Sequence, residues 1–596
     1  MKKIFFTSIA ILVLAATAGA QTMSDALTFS QNNYYGTARS MALGNAMTAV
    51  GGDLGSIGLN PAGSAIARYN QFSVTPGYNI SSNNSFFSSS NFTVLADDGT
   101  YRTSESGSFG PAFNERNKGM TLPNMGFSFV FSTGQSRGLK SMSVAMLSSH
   151  TNIHRDRFVA TGTNDCTSML GYFASQATFN CDGFGSFEDP HTLDPMVFDN
   201  YDDPYNFFSR DPIAAYDSYM ISPESNGGYV GATQNMGKGS SALDYPNSGP
   251  IKQKAIVQKQ GSKHDFLFNV AMNFDDKWFV GVNLGLPVFS YSNTEFFAES
   301  AIDPEQFPVP ITDADGKTNI YNFQSSEYTY DYWASGEGIY AKIGLIYLPN
   351  DNLRFGLSLQ TPTAYNIDEN WTIAASTNIS GTRHEASGVP EWGSSYKMRS
   401  PGIVDFGAAW TFGGKGFISA DYELVDYSAM KYTMPGYEFS AYDPFEIVNK
   451  LTSIFCGASH SLRLGGEYRL TPAFSLRAGY NVTTSPLKMY RDSEGDLVDA
   501  EMYDANYDYY EAGYATLGGG RHFKAPVRAF SFGLGWSSAG SFFADAAFKA
   551  TRYPVSYYSP YPVYQTFDGG GHFTASPLVQ STRTLFDIAL TLGWRF

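Results

Sequence analysis

His150 and His154 stand four residues apart, and on one strand parity that spacing offers two imidazoles to a single metal ion or haem. No third ligand of matching spacing accompanies them, so a structural role suits them better, and no metal or cofactor is expected. Asp313-Ala314-Asp315-Gly316 and Asp492-Ser493-Glu494-Gly495 begin as calcium loops do, yet neither continues through the twelve-residue ligand pattern, and both read as turns. Cys166 and Cys181 lie close in one segment while Cys456 is remote. In an exported chain the first two form the expected disulfide, with three unpaired thiols as the alternative, since connectivity is not readable from spacing. The sequence holds no nucleophile elbow, no H-E-x-x-H and no phosphate-cradling Gly-x-x-x-x-Gly-Lys. The chain is read as no enzyme.

The charged residues with the clearest placement are Arg354, Arg463, Arg477, Asp405, Asp421, Glu423, Glu467 and Asp587, each in a run whose other parity is apolar. The last such run shows the pattern: Phe586, Ile588, Leu590, Leu592, Trp594 and Phe596 share one parity, and Asp587, Ala589, Thr591, Gly593 and Arg595 share the other. One face suits lipid, and the charges must point inward because hydrocarbon rejects them. The alternation recurs through the chain, with short polar turns at 133–138, 275–277, 349–351, 413–415, 471–473 and 537–540. Seven long connections lie between them, at 81–121, 150–263, 291–330, 376–396, 428–459, 486–525 and 551–581. Six turns and seven loops join fourteen strands with both chain ends on one side. The expected fold is therefore all-β, a closed antiparallel transmembrane barrel, since an open sheet edge in hydrocarbon leaves backbone groups unpaired.

Ahead of the first strand runs Gly36-Thr37-Ala38-Arg39-Ser40-Met41-Ala42-Leu43-Gly44-Asn45-Ala46, continuing to Asn60-Pro61-Ala62-Gly63. Its small residues let backbone approach backbone closely, so it reads as a plug inside the lumen, with Arg39 and Asp53 most able to join the inward charges. Met1-Lys2-Lys3, an apolar run to Ala16 and Ala18-Gly19-Ala20 read as a signal peptide over 1–20. Beyond it no stretch has the roughly 20 apolar residues of a transmembrane helix. With 59 Gly, 39 Tyr, 47 Phe and only 16% charged residues, the composition suits a barrel. The net charge of −16 excludes nucleic acid as a partner, which requires clustered Lys and Arg.

At Asn60-Pro61-Ala62 the chain resembles the FadL/OMPP1/TodX family of outer-membrane transporters for long-chain fatty acids and other hydrophobic molecules. Strand runs such as Gly281-Val282-Asn283-Leu284-Gly285-Leu286-Pro287 and Arg463-Leu464-Gly465-Gly466-Glu467-Tyr468 are similar to strands of that family, and an aromatic final residue resembles the assembly signal of bacterial outer-membrane barrels. The resemblance implies an N-terminal hatch over 21–70, a barrel over 71–596, and passive passage of a hydrophobic molecule. Exit would be sideways into the membrane through an inward kink in the third strand. That strand is expected near Leu139–Ser149, which holds no Gly or Pro to mark a kink. The expected partners are a hydrophobic small molecule and outer-membrane lipid, with the protein a monomer. Outer aromatics including Phe86, Phe87, Phe92, Phe207, Phe208, Phe296 and Phe297 serve either capture or loop packing. The alternative reading is a surface or secretion-associated barrel that holds exported protein partners through its long acidic loop 150–263.

Overall fold

Every second residue of fourteen segments needs lipid, and the computed structural model closes those segments into a barrel. It describes residues 22–89, 93–95, 101–103, 107–164, 167–183, 210–223, 229–234, 247–312, 317–436, 443–487, 489–491, 497–499, 525–561, 564–566, 572–574 and 577–596. The barrel strands are β1 Gln71–Ser89, β2 Phe113–Ser132, β3 Leu139–Asn164, β4 Ile251–Phe274, β5 Trp278–Ala301 and β6 Thr318–Tyr347. β7 is Leu353–Gln360 continued by Ala364–Ile379, and β8 is Trp392–Arg399 continued by Ile403–Thr411. β9 is Gly416–Asp426 with Lys431–Thr433 beyond it. β10 Ala458–Arg469, β11 Phe474–Thr483, β12 Val527–Ser537, β13 Phe542–Tyr558 and β14 Leu578–Arg595 complete the wall. β14 pairs with β1 from Arg595 opposite Gln71 to Leu578 opposite Ser88, so the barrel has no open edge.

The outer face carries the apolar parity. Phe127, Phe129, Phe131, Val280, Val282, Leu357, Phe406, Leu464, Phe532 and Leu590 are all exposed there. At the short-turn end Trp278 stacks on Tyr347 at 4.0 Å and Phe542 meets Trp594 at 5.0 Å, an aromatic girdle of the kind that marks a membrane interface. Among the described residues no helix is long and apolar enough to cross a membrane. The protein is a membrane barrel with a polar interior.

The strands overrun the expected loops. β3 and β4 stay paired up to Asn164 opposite Ile251, inside the expected loop 150–263, and β5 and β6 enter the expected loop 291–330 from both sides. Above the lipid belt no face must be apolar, so the alternation fades while the backbone ladder continues. Helices α4 Met169–Gly183 and α5 Arg210–Asp217 top this extension. Their Met169, Leu170, Phe173, Ile213 and Ala214 pack with Phe87 and Phe297 in one buried cluster, so those two expected capture aromatics are loop-packing residues. Glu299 on β5 accepts hydrogen bonds from Ser168 Oγ at 2.6 Å and Met169 N at 3.0 Å, which ties the start of α4 to the wall. Residues 1–20 with the expected signal peptide, Phe92, Phe207, Phe208, 313–316 and 492–495 lie outside the described residues.

Candidate functional site

The segment 22–66 lies in the lumen. It folds as α1 Met23–Ser30, α2 Ala38–Ala42, α3 Leu54–Ile57 and a 3-10 helix Pro61–Ile66. Each short helix carries its own start signal, because an isolated helix this short is marginal in water. Thr22 and Asp25 exchange reciprocal hydrogen bonds at the N-terminus of α1, and Thr37, Asp53 and Asn60 cap the three that follow.

The wall is cut to receive it. Gly281, Gly344, Gly356, Gly407, Gly465 and Gly479 all have inward parity on separate strands. A Cβ at Gly344 would fall on Asn60, one at Gly356 on Thr48, and one at Gly281 on the Pro61 carbonyl. Backbone thus packs directly on backbone, which only glycine permits. Asn60 Nδ2 donates to Thr48 O at 2.8 Å within the segment and to Leu345 O at 3.1 Å on β6. Pro61 O accepts from Asn269 Nδ2 at 3.0 Å, and Ala62 packs with Ala271, Phe279 and Ile346. Asn283, Lys342, Ser358, Ser419 and Ser531 donate to the carbonyls of Ile57, Gly58, Leu59, Ala46 and Ala42. The polar lumen thereby satisfies the open carbonyls at the ends of α2 and α3 and in the turns that follow them.

Arg39 on α2 meets Glu467 of β10 at 2.9 Å, and Glu467 also takes Arg477 at 2.7 Å, which continues to Asp545 on β13. Arg463 joins Asp405 and Glu423 across the strands, and Thr48 N donates to Asp421 at 2.7 Å. The inward charges therefore serve both wall and segment. Asp53 behaves differently: its hydrogen bonds, from Thr37 Oγ1 at 2.6 Å and Gly55 N at 3.1 Å, stay within the segment. Substituting Gly356→Leu is expected to lift the segment off β7 and expose residues 22–66 to limited proteolysis under conditions that spare them in the wild-type chain. Unchanged protection would mean that the close packing at Thr48 is dispensable.

The third strand carries the main irregularity. β2 and β3 pair from Ser132 opposite Ser141 to Asn124 opposite Ser149, and there their ladder ends. β3 is bulged between His150 and Asn152 and continues paired with β4. Its other side meets the inner face of β1: Asn83 Nδ2 donates to Arg157 O at 2.8 Å, Ser85 Oγ donates to Val159 O at 2.8 Å, and Arg155 reaches Asn79 Oδ1. Since β2 is itself paired with β1 over this length, upper β3 has passed behind β2 into the barrel. The seam is crossed by side chains, with Arg157 ion-paired to Glu115 at 2.8 Å and the Arg155 guanidinium lying on Gly119. Leu122 and Met120 are exposed apolar residues at its outer lip.

The bulge belongs to the lumen segment. Asn33 N donates to Thr151 O at 2.6 Å, Tyr35 N donates to His150 O at 3.2 Å, and Asn33 Nδ2 donates to Asn152 Oδ1 at 3.2 Å. One extra residue at Thr151 also parts the two histidines. His150 stands against His264, while His154 packs on Tyr291 at 5.1 Å. Among the described residues no group of three or more His, Cys, Asp or Glu is placed to hold a metal ion.

Above the kink the interior is aromatic. Phe289, Tyr291, Tyr332, Tyr365, Tyr396 and Tyr432 line a chamber over β5 to β9, and α1 fills it with Met23, Ala26, Leu27 and Phe29. Phe29 stacks on Phe289 at 4.6 Å. The chamber is apolar where α1 lies and polar at its rim, where Lys263 Nζ donates to Phe29 O at 2.9 Å and Gln31 O at 3.0 Å. Chain 29–35 thus links the chamber to the β3 kink.

Sequence reasoning placed Asn60, Pro61, Ala62 and Arg39 in the segment, and the structure sets all four against the wall. The inward glycines and α1 are not among those expectations, and the kink expected in the third strand lies just past Leu139–Ser149, at Thr151. The glycines had a legible signal, since they recur on the inward parity of β5 to β8 and again of β10 and β11. The Cys166–Cys181 pairing falls outside the described residues, as Cys166 and the Cys181 side chain are not among them.

No protein-family model matches the chain, and no curated protein matches it. Among solved structures it is similar to a FadL homologue of Pseudomonas aeruginosa, at 11% identity and TM-score 0.45 over 94% of this chain and 99% of that one. It is similar also to the Pseudomonas putida toluene transporter TodX, at 10% identity and TM-score 0.39 over 95% and 99%, and to the monoaromatic hydrocarbon channel CymD, at 11% and 0.40 over 94% and 98%.

Proposed function

We propose that the protein is an outer-membrane channel that passes hydrophobic small molecules, long-chain fatty acids or lipophiles of similar size, without ATP or redox cofactor. The departure of β3 from β2 carries this reading: above Asn124 and Ser149, at the top of the apolar belt, the two strands share no ladder, and a seam there would connect the interior with lipid once it widened. A water-filled porin has no use for such a breach, whereas an apolar molecule leaving through it never meets the aqueous phase. The lumen segment serves as a hatch over 21–70, with Arg39 as its anchor to the wall and Asp53 as its internal fastener. Ligand competes with the apolar side chains of α1 for the aromatic chamber. As α1 leaves, residues 31–35 slacken at Thr151 and Asn152, and the seam is freed to widen.

Arg155 and Arg157 are the bars across that seam in this mechanism. Replacing both by Ala removes the bridges to Asn79 and Glu115 while leaving the β3–β4 ladder in place. In a Gram-negative host without its own channel of this kind, the wild-type chain is expected to raise uptake of radiolabelled laurate several-fold. The double variant is expected to raise it further. No gain from the wild-type chain, despite correct insertion, would sink the reading.

A further inference from the structure

A second interruption in the wall lies across the barrel from the kink. Three neighbouring strands lose their regularity at one height. β7 and β8 are paired at Gln360 opposite Ile403 and again at Ala364 opposite Arg399, with three residues on each side between. Pro362 and Pro401 within that stretch have no N–H to give. What remains is Ser400 N to Thr363 O at 2.9 Å and Thr363 N to Ser400 Oγ at 3.3 Å. Between β8 and β9 the mismatch is larger. Pairing stops at Ile403 opposite Val425 and resumes at Arg399 opposite Lys431, so three residues of β8 face five of β9, which turns through a 3-10 helix Tyr427–Ala429. Among the described residues no ladder pair spans this stretch.

Its height and backing are what distinguish it from an ordinary bulge. Below it the outward residues Leu359, Val404, Phe406 and Tyr422 are exposed apolar groups, and above it the outward Lys397, Arg399 and Lys431 are exposed cations. The interruption therefore sits where hydrocarbon gives way to head groups, at the long-loop end. Directly behind it, Ile403, Val425, Tyr427 and Met430 belong to the aromatic chamber. A small cavity touches Gln360, Thr363, Ser400 and Pro401 on the wall side and Ser30 and Asn32 of the lumen segment on the other. At the long-loop end the core of α4 and α5 is packed, and the helix Glu446–Phe455 adds Phe455 to the chamber cluster, among the described residues.

We infer that the β8–β9 interruption is a side entrance, through which a hydrophobic molecule dissolved in the outer half of the membrane reaches the chamber between Pro401 and the Tyr427–Ala429 turn. This rests on the proposed channel function and gives it a direction: entry from lipid at β8–β9, exit to lipid at β2–β3. A lipophile concentrates in hydrocarbon before it meets the protein, so an opening at the belt edge samples it far more often than one facing water. No β8–β9 ladder bond has to break there, because Pro401 has no N–H to give and the turn has already carried β9 out of register.

Two measurements test the entrance separately from net transport. Ala429 is exposed on the turn, and Ala420 is exposed on the same strand where the ladder is intact. In cells, Ala429→Trp is expected to cut laurate uptake several-fold, and Ala420→Trp to leave it unchanged. Equal uptake by the two variants would overturn the entrance. Independently, a diazirine-bearing fatty acid placed in bilayers containing the purified barrel is expected, on illumination, to label residues 401–403 and 427–430. Labelling there with no net uptake in cells would retain the entrance and count against the channel, whereas labelling confined to the belt below Val404 would overturn the entrance.

Discussion

Deleting residues 22–66 is expected to turn a closed barrel into an open pore, with single-channel conductance in planar bilayers rising many-fold over the intact chain. The argument starts from the wall. Fourteen strands enclose a lumen too wide for their own side chains to fill, as barrels of more than about eight strands generally do. Here the filling is the segment itself, with Met41, Ala42, Leu43, Ala46, Met47 and Ala49 fully buried against the strands. The closest wall positions are glycines, so removal leaves shallow hollows and no side chain that folds in to replace the lost mass. The wall can survive the deletion because its own ladder is closed from β1 to β14 and its inward charges are paired among themselves, Arg463 with Asp405 and Glu423, Arg477 with Asp545. Glu467 keeps Arg477 when Arg39 goes, whereas Asp421 loses Thr48 N and Lys263 loses the carbonyls of Phe29 and Gln31; both then face a lumen that water enters, which spares them the roughly 3–5 kcal/mol of a charge stranded in a dry interior. Should the deleted chain fail to insert, Gly356→Leu offers the same test with the segment present but displaced. A low conductance from either inserted variant would place the seal in the loop roof rather than in the hatch.

The lipid belt was the part of this fold most legible beforehand, and the reason is physical. Hydrocarbon tolerates one parity only, so Phe530, Phe532, Leu534 and Trp536 announce a strand and its outward face together, and the six short turns then force the count. The same logic fails above the belt, where β3 and β4 remain paired from Asn152 to Asn164 with no alternation demanded by lipid. The kink illustrates a different limit. Leu139–Ser149 holds no Gly or Pro, and the bulge follows at Thr151, stabilised by Asn33 and Tyr35, partners more than a hundred residues away. A distortion held by distant hydrogen bonds leaves no local mark. The aromatic chamber was hidden for a related reason, since its residues come singly from β5 to β9 and from α1, and each one reads locally as an ordinary inward tyrosine or phenylalanine. By contrast the β7 and β8 interruptions do carry Pro362 and Pro401, and the strand pattern breaks at both.

If the hatch opens the seam by pulling away from Thr151 and Asn152, then tethering the two must hold the channel shut. Asn33 and Asn152 are suited to the tether. Their amides touch at 3.2 Å, and the adjacent backbone bond from Asn33 N to Thr151 O at 2.6 Å holds the two chains side by side. Thr151 O belongs to the peptide unit that leads into Asn152, so its bond to Asn33 N holds the two Cα atoms within about 7 Å, close to the roughly 4.4–6.8 Å that a disulfide requires. The variant Asn33→Cys with Asn152→Cys, oxidised, is expected to bring laurate uptake down to the level of cells without the protein and to recover it on reduction. Asn33→Cys removes one side-chain hydrogen bond and Asn152→Cys three, those with Asn33, Gln31 O and Ile153 N, each worth about 0.5–1.5 kcal/mol; the single Asn33→Cys is expected to leave uptake nearly intact. The reversible loss separates tethering from misfolding, since a barrel misassembled around the bond would not regain function within the assay. Full uptake by the oxidised double variant would show that molecules pass the β2–β3 seam with the hatch still fastened to the kink. Gating would then rest on Arg155 and Arg157 alone, and α1 would be a fixed wall of the chamber in place of its competitor.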